Sequence, residues 1–139
     1  MKDFGEVQEF LDSINEMPVF TEFKKIFLRL YDEQLKDKTM WVDYSSVIKG
    51  ISYDLDKSVL FITFVSNKSY AYYDVPVDIF LCGAFTDYLN TMKASGDLPK
   101  EFFTDENEGG LSMGSWFNEI VKGYFDYTLI NWIHSPLLY

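Results

Sequence analysis

The sequence has few residues of the kinds that build metal sites and disulfides, and it has no long apolar run. Among 139 residues there is one cysteine, Cys82, and one histidine, His134. A single cysteine excludes an intramolecular disulfide framework and a four-cysteine zinc site. Charged residues interrupt every apolar stretch before it reaches the roughly 18 residues that span a bilayer. We therefore expect a protein of a reducing cytoplasm, with no membrane span, no metal and no cofactor.

Motifs that mark catalysis or phosphate binding are also missing. There is no glycine-rich phosphate loop followed by Lys-Ser/Thr and no dinucleotide fingerprint. Asp105-x-Asn107-x-Gly109 begins like a calcium loop, but Trp116 stands at the twelfth position, where a bidentate glutamate is needed. His134 lies in the apolar C-terminal tail, and Cys82 has no obvious base beside it. The sequence predicts a protein that is not an enzyme.

Basic residues are in the minority, with 12 of them against 22 acidic residues and a formal net charge of −10. Such a surface repels a phosphate backbone, which argues against direct binding to duplex DNA. The same charge would attract a bacterial protein with a basic surface that normally holds nucleic acid, although it could equally serve solubility alone. The residues predicted to form this protein interface are Glu101, Asp105, Glu106, Glu108 and Trp132.

Two hydrophobic periods alternate along the chain. Apolar residues recur at spacings of three and four over residues 4–17 and about 21–35, which predicts an N-terminal helical pair. Residues 47–53, 59–65 and 69–75 are rich in β-branched and aromatic residues, which predicts strands in two hairpins; a further short strand at 40–42 is optional. The helical period returns after Pro76, ends at Gly96 and resumes at about 112–125. The expected fold is α+β, with a three- to four-stranded antiparallel sheet packed against helices.

The chain length fits a single domain over residues 1–139. We divide it into the helical pair at 1–38, an α+β core at 40–126 that carries an acidic insertion at 94–111, and an apolar tail at 127–139. An exposed tail of this kind would form a patch that monomers avoid. The tail is therefore expected either to pack on the core or to form an interface with a partner or in a homodimer.

Several short motifs in the core resemble the KTSC domain, over roughly residues 45–125. They are Ser46, Ile51-Ser52-Tyr53-Asp54, Leu60-x-Ile62-x-Phe64, Tyr70-x-Tyr72-Tyr73-Asp74-Val75-Pro76 and Ser112-x-Gly114-x-x-Phe117-Asn118. KTSC domains occur at the C-terminus of some lysyl-tRNA synthetases and as stand-alone bacterial and phage proteins, and RNA binding has been suggested for them. The resemblance implies a fold and, as one alternative, an RNA-associated accessory role.

Four residues of this core are predicted to bind a ligand: Tyr70, Tyr72, Asn118 and Lys122. Tyr70 and Tyr72 share one face of their strand, where a row of rings can stack on nucleic-acid bases or simply fix the corner between strand and helix. The amide of Asn118 could orient a ligand or satisfy buried backbone groups. The residues leave these alternatives open.

The favoured function is that of a phage or mobile-element inhibitor in the bacterial host cytoplasm. It would associate stoichiometrically with a nucleic-acid-binding defence protein, as anti-CRISPR and other counter-defence proteins do. This hypothesis rests on analogy with small acidic proteins. The alternative hypotheses are a KTSC-like domain that binds or sequesters a nucleotide, and the RNA-associated role.

Overall fold

A computed structural model describes residues 4–35, 39–42, 45–96 and 112–130. In this part of the chain, helices pack on one antiparallel sheet, so the predicted α+β class is confirmed. The five residues of the predicted protein interface lie outside the described residues, as do residues 97–111 and 131–139.

The N-terminal helical pair is present, but its second helix begins earlier than predicted. Helix α1 spans Phe4–Asn15, and α2 spans Pro18–Leu30 and continues into a π-helical turn at Tyr31–Leu35. Pro18 opens α2 because the first amide of a helix has no intrahelical acceptor, so proline loses nothing there. The pair is tied to the remainder of the fold by Phe20, whose ring lies 5.2 Å from that of Phe85.

The sheet contains five strands in the order of the chain. They are β1 Met40–Trp41, β2 Ile48–Asp54, β3 Val59–Phe64, β4 Ser69–Tyr72 and β5 Tyr127–Ile130. The sheet therefore has one strand more than the sequence led us to expect. The extra strand is β5, which the sequence analysis assigned to the apolar tail and which pairs antiparallel with β4.

The helices of the second half follow β4. Helix α3 spans Val77–Ser95 and ends at Gly96, whose φ of 81° lies in the left-handed region, as predicted for a helix stop. Helix α4 spans Met113–Trp116 and continues into a π-helical turn at Phe117–Val121. Gly83 allows α4 to approach α3 closely, because a Cβ atom there would lie 2.6 Å from the Trp116 ring.

The two faces of the sheet differ in character. The register aligns Tyr53, Leu60, Tyr72 and Tyr127 across four strands, and apolar residues of this face belong to the core beneath the helices. The other face is mixed and includes small and polar residues, of which Thr63 and Ser69 are paired and share a hydroxyl hydrogen bond of 2.9 Å. The alternation of strand side chains thus directs Tyr53 and Tyr72 toward the helices, whereas Phe61 lies on the opposite face.

At the centre of the core lies the closed tyrosine cluster, which consists of Tyr31, Tyr53 and Phe80. The Phe80 ring lies 5.2 Å from Tyr53 and 5.4 Å from Tyr31. The Tyr31 hydroxyl donates to the Tyr53 carbonyl and accepts from the Tyr53 amide at 2.9 Å. The Tyr53 hydroxyl donates to the carbonyl of Val75. Both tyrosines are almost fully buried with their polar ends satisfied, which is what a buried phenol requires.

Candidate functional site

The aromatic face of the sheet opens into a cavity beside the C-terminal end of the helical layer. The cavity has a volume of about 470 Å³ and lies over β4 and β5, next to the turn that follows Val121. Its lining consists of Ser46, Val47, Phe64, Val65, Ser66, Lys68, Tyr70, Tyr72, Phe117, Lys122, Gly123 and Tyr127. This volume is within the range of about 300–1,000 Å³ that is usual for small-molecule sites.

Five rings of this lining contact one another, and we call them with the cavity the open ring pocket: Phe64, Tyr70, Tyr72, Phe117 and Tyr127. Phe117 lies edge-on to Phe64 at 5.1 Å and to Tyr72 at 5.9 Å. Tyr127 lies 5.7 Å from Tyr70 and 5.5 Å from Tyr72. Contacts at these distances and angles are favourable for aromatic pairs, so the rings hold one another in place.

Local backbone structure positions the rings. The Phe64 amide donates to the carbonyl of Lys68 at 2.9 Å, which closes the β3–β4 turn; Asn67 occupies the left-handed region of that turn with φ of 68°. The Lys122 amide donates to the Phe117 carbonyl at 2.8 Å and ends the last helical turn. Each of the two lysines is therefore fixed by its backbone to a residue that supplies a ring of the pocket.

The connection from the last helical turn to β5 brings in the fifth ring. Gly123 adopts φ of 89°, a left-handed conformation that glycine takes without steric cost. The Tyr73 amide then donates to the Asp126 carbonyl at 2.9 Å, and pairing of β5 with β4 places Tyr127 opposite Tyr72. This turn therefore brings Tyr127, which is distant in sequence from Tyr72, to the edge of the pocket.

The pocket offers hydroxyl donors to a ligand. Burial, with the neighbouring hydroxyls of Tyr127 and Tyr70 as lesser causes, raises the pKa of Tyr72 to about 12. Its hydroxyl therefore stays protonated at neutral pH, and no described residue hydrogen-bonds it. The ring of Tyr72 is buried, whereas 62% of Tyr127 is exposed. One wall of the pocket is thus inside the protein and the other is open to solvent.

The charge of the pocket is opposite to that of the whole protein. Lys68 and Lys122 are both among the lining residues, and none of the described lining residues is acidic. The ion pair found in the described part of the chain joins Lys24 and Asp78 at 2.8 Å, and it lies elsewhere, between α2 and α3. Neither pocket lysine has a carboxylate partner among the described residues.

Three of the four predicted ligand-binding residues line this cavity. Tyr70 and Tyr72 form its floor from β4, and Lys122 lies at its rim. Asn118 does not line it; its side chain is exposed on the turn Phe117–Val121 and is engaged in an interaction of its own. The structure therefore brings together the tyrosines and the lysine but leaves the amide outside the pocket.

The sequence analysis missed three of the rings and one lysine. Phe64 and Phe117 were recognised only as motif residues, and Tyr127 only as part of the apolar tail. The alternation of β3 offered a signal for Phe64, since Leu60, Ile62 and Phe64 lie on one face of the strand. Lys68 and Tyr127 carry no local signal, because their place in the pocket depends on a turn and on a pairing with β4.

Other candidate groups lie apart from this site. Burial, and to a lesser degree the charge of Asp78, raises the pKa of the Cys82 thiol to about 12, so at neutral pH it is not a thiolate. Over the described ranges, no group of three or more His, Cys, Asp or Glu side chains is placed to hold a metal ion. Nor does any described helix have the length and apolarity needed to cross a membrane.

Comparison with known proteins shows a similarity over part of the chain. The chain is similar to a crystal structure of a KTSC domain protein from Yersinia pestis, with 24% sequence identity and a TM-score of 0.43; the alignment covers 67% of this chain and 96% of that one. A search of curated proteins found no match. Residues 44–82 match the family model of the KTSC domain, so the resemblance read from the sequence is confirmed over that segment.

Proposed function

We propose that this protein is a non-catalytic binding protein that holds a small ligand bearing a nucleobase in the open ring pocket. The observation that carries the proposal is the cavity of about 470 Å³, floored by tyrosines of β4 and bounded by rings from β3, β5 and the last helical turn. In the closed tyrosine cluster the rings pack against one another inside the core. In the pocket they surround space that a ligand can occupy.

A flat heteroaromatic ligand suits this lining. Edge and face surfaces of aromatic rings are both presented, and a nucleobase offers a π-face for stacking together with polar edges. The hydroxyl of Tyr72 is protonated at neutral pH because its pKa is about 12, so it can donate to an acceptor on a base. An apolar cavity with a small number of polar groups is the usual composition of a small-molecule site.

The proposal is tested by titrating the protein with adenosine, guanosine, cytidine and uridine in isothermal calorimetry. We expect at least one nucleoside to bind. Tyr127→Ala should weaken that binding by about 5- to 150-fold, since stacking on an aromatic side chain contributes about 1–3 kcal/mol per base. Tyr127 suits this test because 62% of the residue is exposed and its removal leaves the core intact.

A matched control comes from Tyr88→Ala. Tyr88 lies on α3 outside the pocket and is 44% exposed, so the same chemical change is made at a comparably accessible tyrosine. We expect this variant to bind as the unmodified protein does. Absence of binding by all four nucleosides, or an equal loss in both variants, would overturn the proposal.

The net charge of −10 supports a second candidate function, that of a stoichiometric inhibitor of a bacterial nucleic-acid-binding protein, of phage or mobile-element origin. Four of its predicted interface residues lie in the acidic segment and the fifth, Trp132, lies in the apolar tail; all five are outside the described residues. The test is a variant in which Glu101, Asp105, Glu106 and Glu108 are all replaced by serine. A partner that co-purifies at low salt should be lost from this variant, and retention of the partner would refute the role of the acidic segment.

A further inference from the structure

We infer that the ligand of the open ring pocket is a free nucleoside monophosphate, whose phosphate contacts Lys68 and Lys122 while its base lies among the rings. This assignment rests on the proposed function, because it requires a base in the pocket. It adds the chemical class of the ligand and names the two side chains that recognise its charge.

The first argument is the distribution of charge. The chain has 22 acidic and 12 basic residues, yet the described lining of this cavity includes two lysines and no acid. Neither lysine has a carboxylate partner among the described residues. The ion pair found in that part of the chain joins Lys24 and Asp78. Two ammonium groups that have no described carboxylate partner and lie beside an apolar cavity are suited to an anion such as a phosphate, which lysine binds as a point charge.

The second argument is the backbone support of the two lysines. The Lys68 carbonyl accepts from the Phe64 amide at 2.9 Å, and the Lys122 amide donates to the Phe117 carbonyl at 2.8 Å. The rings of Phe64 and Phe117 are themselves in contact at 5.1 Å. The two cations thus extend from backbone that is held to adjacent rings, so one ligand can present its base and its phosphate to both kinds of group at once.

The third argument favours a free nucleotide over a strand of RNA. The pocket is a single cavity with room for one base, its sugar and its phosphate, whereas a strand would continue across the rest of an acidic surface. Each further phosphate on that surface would meet repulsion from the net charge of −10. A mononucleotide places its charge only where the two lysines lie.

The test compares each nucleoside with its 5′-monophosphate on the intact chain by calorimetry at low salt. We expect the monophosphate to bind about tenfold tighter or more, as charge-assisted hydrogen bonds allow. In the double variant Lys68→Gln/Lys122→Gln this ratio should fall to about one, while affinity for the nucleoside is retained. The control is Lys57→Gln, which removes a lysine from the β2–β3 turn, outside the pocket, and should leave the ratio unchanged.

The outcomes separate the two proposals. If a nucleoside binds as tightly as its monophosphate, or if the double variant keeps the preference for the monophosphate, the phosphate assignment is overturned while the ring pocket stands. If no nucleoside and no monophosphate binds, the proposed function itself is refuted. Binding of a hexaribonucleotide more tightly than any monophosphate would overturn the assignment of a free nucleotide.

Discussion

The protein contains two clusters of tyrosine and phenylalanine on the same face of its sheet, and they differ in how their polar ends are satisfied. In the closed tyrosine cluster, the hydroxyls of Tyr31 and Tyr53 bond to backbone groups and the rings are almost fully buried. In the open ring pocket, no described residue hydrogen-bonds the hydroxyl of Tyr72, and Tyr127 is 62% exposed. The first cluster is closed by the protein itself, whereas the second borders the cavity.

The difference arises from the elements that cover each end of the sheet. The closed cluster lies beneath the π-helical turn Tyr31–Leu35 and the start of α3, which supply Tyr31 and Phe80. The pocket lies beyond the last helical turn, Phe117–Val121, where the chain leaves the helical layer and returns as an edge strand. The same residue types therefore pack into the core where helices cover them and border a cavity where the cover ends.

The largest effect on stability is expected when one ring of each cluster is truncated. Phe80→Ala should lower the free energy of unfolding by about 3–5 kcal/mol, since it removes a 1% exposed ring from the core. Tyr127→Ala should lower it by about 1 kcal/mol or less, because most of that side chain is in water. Urea denaturation measures both values. Similar losses in the two variants would contradict the distinction between the clusters.

A smaller effect is expected from removing one hydroxyl in each cluster. Tyr31→Phe leaves the amide and carbonyl of Tyr53 without this partner in a buried site, which should cost about 1–3 kcal/mol. Tyr72→Phe removes a hydroxyl that no described residue bonds, so unfolding free energy should change by about 0.5 kcal/mol or less. The same denaturation assay applies. A large loss in Tyr72→Phe would show that its hydroxyl is satisfied within the protein.

The third effect concerns alkaline pH. The folded pKa of Tyr72 is about 12, above the ordinary value of 10.0, because burial disfavours the phenolate. Between these values the unfolded chain releases the proton while the folded protein keeps it, so stability falls as pH rises through this window. The stability that the raised pKa of Tyr72 contributes is fully present below about pH 10. Denaturation midpoints measured across the window should fall less steeply in Tyr72→Phe, and an identical slope would contradict the assignment.

Much of the fold could be predicted because it follows from local patterns. The period of apolar residues predicts α1, α2 and α3, and Gly96 ends α3 where its left-handed φ of 81° requires glycine. The pocket could be predicted only in part. Alternation places Tyr70 and Tyr72 on one face, whereas the place of Tyr127 depends on a long-range pairing with β4. Nothing local marks residues 127–130 as a strand, since a short apolar run fits a packed tail equally well.

The point at which the helical layer ends also could not be predicted from the sequence. The helical pattern at 112–125 did not show that the last turn is a π-helical one that ends at Val121, and the position of that end decides where the cavity opens. Asn118 belongs to the family motif and was predicted to orient a ligand through its amide, yet it does not line the cavity. A residue's membership in a motif therefore did not predict its membership in the site.

If the pocket binds a ligand as proposed, the pairing of β5 with β4 makes occupancy of the pocket and docking of this edge strand interdependent. The four residues of β5 are mostly exposed and pair with β4 alone among the described strands, so this strand is expected to open without unfolding the whole protein. A ligand that touches Tyr127 binds only when the strand is docked, so it stabilises the docked state by mass action. Amide hydrogen exchange along β5 would then slow as the pocket fills, which makes this strand a reporter of occupancy.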